Sequence, residues 1–118
     1  MVDWDHPEDP PGDWQREHVR RYVASDGEDG HLWNLPWPEL VHTPDAPTLL
    51  LTTIGRRTGR TRRTPLIYGR DGDRYVVVAS AGGQPNHPAW YLNLRADPRV
   101  RIQVRAERID GLARTATP

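Results

Sequence analysis

The chain has 118 residues, with sixteen acids balanced by sixteen arginines, five histidines, and neither lysine, cysteine nor phenylalanine. That length suits one domain with one core, removing roughly two-thirds of the unfolded surface from water. The lack of cysteine excludes disulfides, thiolate metal ligands and cysteine nucleophiles, and the absence of any apolar run near the roughly 18 residues of a membrane span argues against an integral membrane segment. An acidic, proline-rich start unlike a signal or transit peptide completes the expectation of a soluble, cytoplasmic protein.

Residues 1–12 hold four acids and three prolines and are expected to form a disordered acidic tail ahead of a single domain over 13–118. An amphipathic helix follows, capped by Asp13, with Trp14, His18, Tyr22 and Val23 near one face and a breaker at Ser25-Asp26-Gly27. The stretch 30–47 reads as a loop, with four prolines, that packs through Trp33 and Trp37. Strands are predicted over 48–54, 65–69, 74–80, 100–105 and 108–114, with a tight hairpin at Asp71-Gly72. A helix is predicted over 88–97, where Pro88 suits the first turn and Trp90, Tyr91, Leu92 and Leu94 form the apolar side. Short antiparallel strands with one interposed helix indicate a mainly β, α+β fold, a small β-barrel with helical decoration.

The zero net charge hides a local field. Residues 1–50 carry eleven acids and three arginines, residues 55–70 carry six arginines and no acid, and residues 71–118 carry seven arginines and five acids. Within the basic segment, Gly55-Arg56-Arg57-Thr58-Gly59 lets backbone N–H groups approach a ligand, while Arg56, Arg57, Arg60, Arg62 and Arg63 offer guanidinium forks to phosphate or carboxylate oxygens. Such localisation favours a small anionic ligand; a nucleic-acid partner is not expected, since that would call for dispersed backbone contacts.

The five histidines lack the short spacings of metal sites, so no metal is expected, and neither a Gly-x-Ser-x-Gly elbow nor a Walker or Rossmann glycine pattern is present. No catalytic acid, base or nucleophile is singled out. A second constellation complements the arginines. Val78-Ala79-Ser80-Ala81-Gly82-Gly83, followed by 87–93 (His-Pro-Ala-Trp-Tyr-Leu-Asn), joins a strand end to a helix start through a glycine-rich loop, beside an indole and a phenol. The two segments together suggest an apolar wall for a planar ring and a cationic grip for a charged tail.

In order and register from about residue 47 onward, Leu-Leu-Leu-Thr-Thr-Ile-Gly-Arg-Arg-Thr-Gly, Arg-Arg-Thr-Pro-Leu-Ile-Tyr-Gly-Arg-Asp-Gly-Asp, Val-Val-Ala-Ser-Ala-Gly-Gly and His-Pro-Ala-Trp-Tyr-Leu-Asn-Leu-Arg-Ala-Asp-Pro resemble the deazaflavin-dependent nitroreductase family. The resemblance implies a split β-barrel and coenzyme F420, an 8-hydroxy-5-deazaflavin with a phosphate and an oligoglutamate tail. It also implies a hydride transfer from the reduced coenzyme to a small electron-poor acceptor such as a quinone, enone or nitroaromatic; the oligomeric state stays open, a homodimer being one option. Carried onto this chain, it gives Arg56, Arg57, Thr58 and Arg62 to the phosphate and tail, and Arg63, Thr64, Pro65, Leu66 and Ile67 to one side of the ring. It gives Val78, Ala79, Ser80 and Ala81 to the ring edge and Ala89, Trp90, Tyr91, Leu92 and Asn93 to the remaining side.

Two departures from the pattern stand out. Ala81 occupies a position where many relatives place lysine, and the sequence ends at Thr115-Ala116-Thr117-Pro118, a helix-start signature, where relatives continue into a C-terminal helix and strand. The segment 34–45, with Trp37 and His42, is longer than in typical relatives; a lid over the substrate pocket and surface decoration both stay open, with decoration slightly favoured. Three other readings stay open at this stage: an FMN-binding split-barrel oxidoreductase, a non-catalytic F420 carrier, and an arginine-hairpin nucleic-acid binder.

Overall fold

A computed structural model describes residues 2–29, 47–78 and 88–115. The segment 30–46, including Trp33, Trp37 and His42, lies outside the described residues, as do 79–87 with Ala79, Ser80 and Ala81, and 116–118.

Helix α1 (Asp13–Ala24) precedes strands β1 (Thr48–Ile54), β2 (Thr61–Ile67), β3 (Gly69–Asp71) and β4 (Arg74–Val76), helix α2 (Ala89–Ala96), and strands β5 (Arg99–Val104) and β6 (Glu107–Leu112). The main sheet has the order β2-β1-β5-β6, and β3 and β4 form a separate two-stranded ribbon. All the strand pairings named here are antiparallel. This is the expected mainly β, α+β class. Among the described residues the strands form an open sheet and a ribbon, and no closed barrel.

β1 is buried along its whole length because it is an interior strand with an element packed on each face. Its side chains alternate between those faces. Leu49 and Leu51 cluster with Val100 under Trp90 and Leu94 of α2, whereas Leu50 meets Val19 and Tyr22 of α1. Each fully buried leucine contributes about 1.5–3 kcal/mol from desolvation, so this strand anchors both layers.

β2 starts earlier than the hydrophobic pattern suggested. Thr61, Arg62, Arg63 and Thr64 pair with Ile54, Thr53, Thr52 and Leu51, extending a strand expected only from 65. Pairing to a buried neighbour overrides the polar composition, as is usual for β-propensity. Pro65 lies inside this strand without breaking it. Arg63 donates its N–H outward, to Glu8 O, so a residue two positions on needs no donor toward β1, and β2 is an edge strand.

Other local expectations shift by a residue or two. Gly12, not Asp13, is the N-cap of α1, and Asp13 enters the first turn, where its charge suits the helix dipole and its carboxylate accepts from Arg16. The buried positions of α1 are Val19 and Tyr22, while Trp14 stays 37 % exposed. The β3–β4 turn is Gly72-Asp73, with Gly72 at φ 61°, one residue later than the Asp71-Gly72 reading. At its end α1 forms a Schellman turn: Gly27 donates to Tyr22 O, Asp26 to Val23 O, and Asp26 adopts φ 51°.

The acidic stretch expected as a disordered tail lies against the sheet. Glu8 donates to Thr61 O at 2.8 Å and accepts from Arg63 N at 2.9 Å, a parallel bridge that covers part of the β2 edge. Thr61 donates its hydroxyl to Asp3 O, and Asp5 pairs with Arg101 at 3.2 Å.

Candidate functional site

The loop between β1 and β2 is closed by its own backbone. Gly55 donates to Arg60 O at 2.7 Å and Gly59 to Gly55 O at 2.8 Å, with Gly59 at φ 74°. A Cβ on Gly55 would lie 3.0 Å from Arg60 O and 3.1 Å from the Thr58 hydroxyl, so the first glycine gives the turn its tightness. Thr58 serves this loop internally, accepting from Arg60 N at 3.2 Å.

The five arginines fall into distinct environments. Arg57 and Arg62 are exposed and have no carboxylate within ion-pair distance among the described residues. Arg56 directs its backbone N–H and its guanidinium to Asn93 Oδ1, at 3.2 and 3.1 Å. Arg60 stands 4.0 Å from a Glu8 carboxylate oxygen, and Arg63 is bound to Asp9 at 2.6 Å. Neutral amide contact leaves the charge of Arg56 available, whereas Asp9 compensates that of Arg63.

The run Arg63 to Ile67 does not present one face. Opposite residues of an antiparallel pair share a side, so Thr64 and Leu66 accompany Leu51 and Leu49 toward α2, while Arg63, Pro65 and Ile67 accompany Thr52, Leu50 and Thr48 toward the other layer. Arg62, paired with Thr53, belongs to the α2 side. Period-two alternation thus divides five residues that the family resemblance had assigned to one side of a ring.

On the α2 side lies a cavity of about 630 Å³. Leu49, Leu51, Val100 and Ile102 form its floor, and Trp90 and Tyr75 are among its walls. Trp90 and Tyr91 stack edge to face at 6.3 Å, and the Tyr91 hydroxyl lies 3.3 Å from that of Thr115. Of the other candidates, Ala89 is exposed at the start of α2, Leu92 is half-buried and Val78 is largely exposed.

Asn93 connects the cavity to the arginine loop. It is 2 % exposed, and its Nδ2 donates to Thr53 Oγ1 at 3.3 Å while its Oδ1 receives Arg56. One helix therefore lines the cavity with Trp90, Tyr91 and Leu94 and holds the cationic loop through Asn93. Sequence reading missed Thr53 and the Leu49, Leu51 and Ile102 floor. The apolar run in 48–54 and the alternation in 100–104 contained the floor, whereas nothing local marks Thr53 as the partner of an amide forty residues away.

A second cavity, of about 150 Å³, lies on the opposite face between the N-terminal stretch and β5. Arg101 borders it, paired with Asp110 at 2.6 Å and Asp5 at 3.2 Å, with its guanidinium 5.9 Å from the Trp4 ring centre. Asp110 raises the Arg101 pKa and is itself held below the ordinary carboxylate value by that guanidinium. This compensated cluster offers an anion much less than the exposed arginines do.

Comparison with known proteins places the chain in a family. Residues 14–118 match the model of the F420H(2)-dependent quinone reductase family. An F420H(2)-dependent quinone reductase of Mycobacterium tuberculosis (strain H37Rv) is 41 % identical over 104 residues, 87 % of this chain and 63 % of that protein. Among solved structures, an F420-H2 dependent reductase superposes with a TM-score of 0.50 at 39 % identity, over 54 % of this chain and 56 % of the other. One described as a domain-swapped dimer superposes at 0.53 and 36 % identity, over 86 % of this chain and 68 % of the other. The chain thus spans 63 % of the length of the curated relative it matches. A family match across 14–118, together with a cationic loop joined to an apolar cavity, means that the chain belongs to the F420H(2)-dependent quinone reductase family.

Proposed function

We propose that this chain is the coenzyme-binding part of an F420H2-dependent oxidoreductase whose acceptor is a quinone. The observation that carries the reading is the double role of α2, which lines the 630 Å³ cavity and holds Arg56 through Asn93. That volume falls within the roughly 300–1,000 Å³ of small-molecule sites. An apolar floor suits a tricyclic ring, and the exposed guanidiniums of Arg57 and Arg62 suit a phosphate with an oligoglutamate tail. The residues present therefore fit the coenzyme. FMN, with its single phosphate and no tail, would leave several of these arginines without a partner.

When bound and reduced, the deazaflavin would supply a hydride from its C5, which with one proton, from a protein group or water, converts a quinone to its hydroquinone. The chain's own contribution is positional. Arg56, Arg57 and Arg62 would hold the anionic end, and Thr64 and Leu66 lie on the same α2-facing side of β2 as Arg62. Trp90 and Tyr91, which line the cavity, would exclude water from one side of the ring. Nitroaromatics and enones are electron-poor enough to act as further acceptors. We assign the protein to the cytoplasm and to a homodimer, the latter supported by the likeness to a domain-swapped dimer.

Titrating the protein with F420 while following deazaflavin fluorescence, then measuring F420H2 oxidation with a soluble naphthoquinone, tests the reading. Saturable binding with quinone-dependent oxidation supports it. No spectral change at tens of micromolar, a concentration ample for ordinary cofactor affinities, refutes it.

A further inference from the structure

The acidic N-terminal stretch reaches two arginines of the same basic segment, Arg60 and Arg63. Glu8 bridges the outer edge of β2, anchored by the Glu8 N to Thr61 O and Arg63 N to Glu8 O bonds. This backbone anchoring places the Glu8 carboxylate 4.0 Å from Arg60 and the Asp9 carboxylate 2.6 Å from Arg63. The Asp9–Arg63 pair is only partly exposed, at 33 % and 21 % of the side chains, so solvent and salt screen it less than a fully open pair. Of the five arginines at 56–63, two are thus engaged by carboxylates of the chain itself, and Arg56, Arg57 and Arg62 are left for a ligand.

Resting on the F420 reading, we propose that Glu8 and Asp9 are specificity-determining residues for the coenzyme tail. They engage two guanidiniums that neighbour the three left for a ligand, and so limit how much negative charge the arginine segment rewards. Each glutamate of a tail adds one carboxylate. With two guanidiniums engaged internally, extending the tail soon adds charge without adding partners, and affinity levels off at a short tail. Freeing Arg60 and Arg63 raises the positive charge along the β2 edge and restores the gain from longer tails. The same carboxylates, held in place by the β2 edge, disfavour unrelated polyanions by like-charge repulsion.

The test is a comparison of wild type with E8Q/D9N, whose amides keep shape and leave the backbone bridge intact. Binding is measured by fluorescence titration with F420 carrying one glutamate, F420 carrying five or more, and the deazaflavin riboside that lacks phosphate and tail. Thermal melts confirm that both proteins are folded. The proposal expects E8Q/D9N to bind the long-tailed coenzyme roughly 3- to 10-fold more tightly than wild type, a gain typical of one or two part-exposed charge pairs, with a steeper salt dependence. Affinity for the tail-less riboside should not change. Equal affinities of the two proteins for every tail length would overturn this inference while leaving the F420 reading intact. Failure of both folded proteins to bind the riboside or any F420 form would overturn the two together.

Discussion

Arg56 and Asn93 are joined twice through a single atom: the backbone N–H and the guanidinium of Arg56 both donate to Oδ1 of Asn93, at 3.2 and 3.1 Å. The amide is buried and turns its Nδ2 to Thr53 on β1. A loop that would otherwise move freely is therefore pinned to a helix and a core strand, and its leading cation is held before any ligand arrives. Preorganisation of this kind lowers the ordering cost of binding.

Replacing Asn93 should therefore affect both stability and ligand binding. Asn93→Ala leaves the Thr53 hydroxyl and the Arg56 N–H without their partner and opens a small void, which should cost about 2–4 kcal/mol in denaturant unfolding. Asn93→Asp is the more diagnostic change. Its carboxylate would neutralise Arg56 in place, so F420 affinity should fall several-fold while the fold survives. Unchanged affinity in a folded Asn93→Asp protein would remove Arg56 from the ligand site.

Arg57 and Arg62 lack carboxylate partners among the described residues, so their loss should separate binding from folding. The double change Arg57→Ala with Arg62→Ala should weaken F420 binding by about 2–4 kcal/mol, the value of two charge-assisted contacts, and move the thermal midpoint little. A matching loss of stability and binding would assign these side chains to the fold instead.

Tyr22 is a structural hub remote from the proposed coenzyme. Its hydroxyl lies 3.0 Å from Thr48 O and 3.2 Å from Gln103 O, and accepts from Arg105 N at 2.7 Å, tying α1 to β1 and to the β5–β6 turn. Tyr22→Phe should destabilise by about 1–3 kcal/mol because a buried N–H and buried carbonyls lose their partner. F420 affinity should stay as in wild type.

Stability should fall at both pH extremes, for different groups. Burial raises the Tyr22 pKa above 10.0, so the unfolded phenol ionises first and stability is lost as pH rises from about 10 through the folded value. Tyr22→Phe removes this alkaline limb. At the acid end Arg20 holds Glu17 at about 2 against an ordinary 4.5. Stability from that pair is present above pH 4.5 and is lost as pH falls toward 2, so Glu17→Gln should make acid unfolding shallower in that window.

Gly27 offers a steric test of the same corner. It has φ 86°, and an added Cβ would lie 2.4 Å from the Cα of Arg105. Gly27→Ala must displace backbone and should cost more than about 2 kcal/mol, whereas Gly59→Ala, with φ 74° but open space around it, should cost only the conformational penalty of about 1 kcal/mol. Chemical denaturation of the two variants distinguishes a packing glycine from a turn glycine.

Much of this molecule was legible in local sequence. The seven-residue run 48–54, the alternation in 100–104 and the apolar side of 89–96 fixed one strand outright and two elements to within a residue or two, because periodicity records which side of a segment meets the core. The uninterrupted positive charge of 55–70 marked the candidate anion-binding loop, since a field of one sign is a property of composition alone. Pairing partners, by contrast, were decided in three dimensions. Nothing near Thr61 to Thr64 predicts a strand until β1 supplies the ladder, and nothing in an acidic, proline-rich stretch predicts that Glu8 will bridge an edge and bring Asp9 to Arg63. Which arginines remain available is likewise a tertiary outcome. The sequence determined that the loop is cationic, and the folded arrangement of Asn93, Glu8 and Asp9 determined how that charge is shared, because interactions between residues tens of positions apart depend on distances that only the folded chain sets.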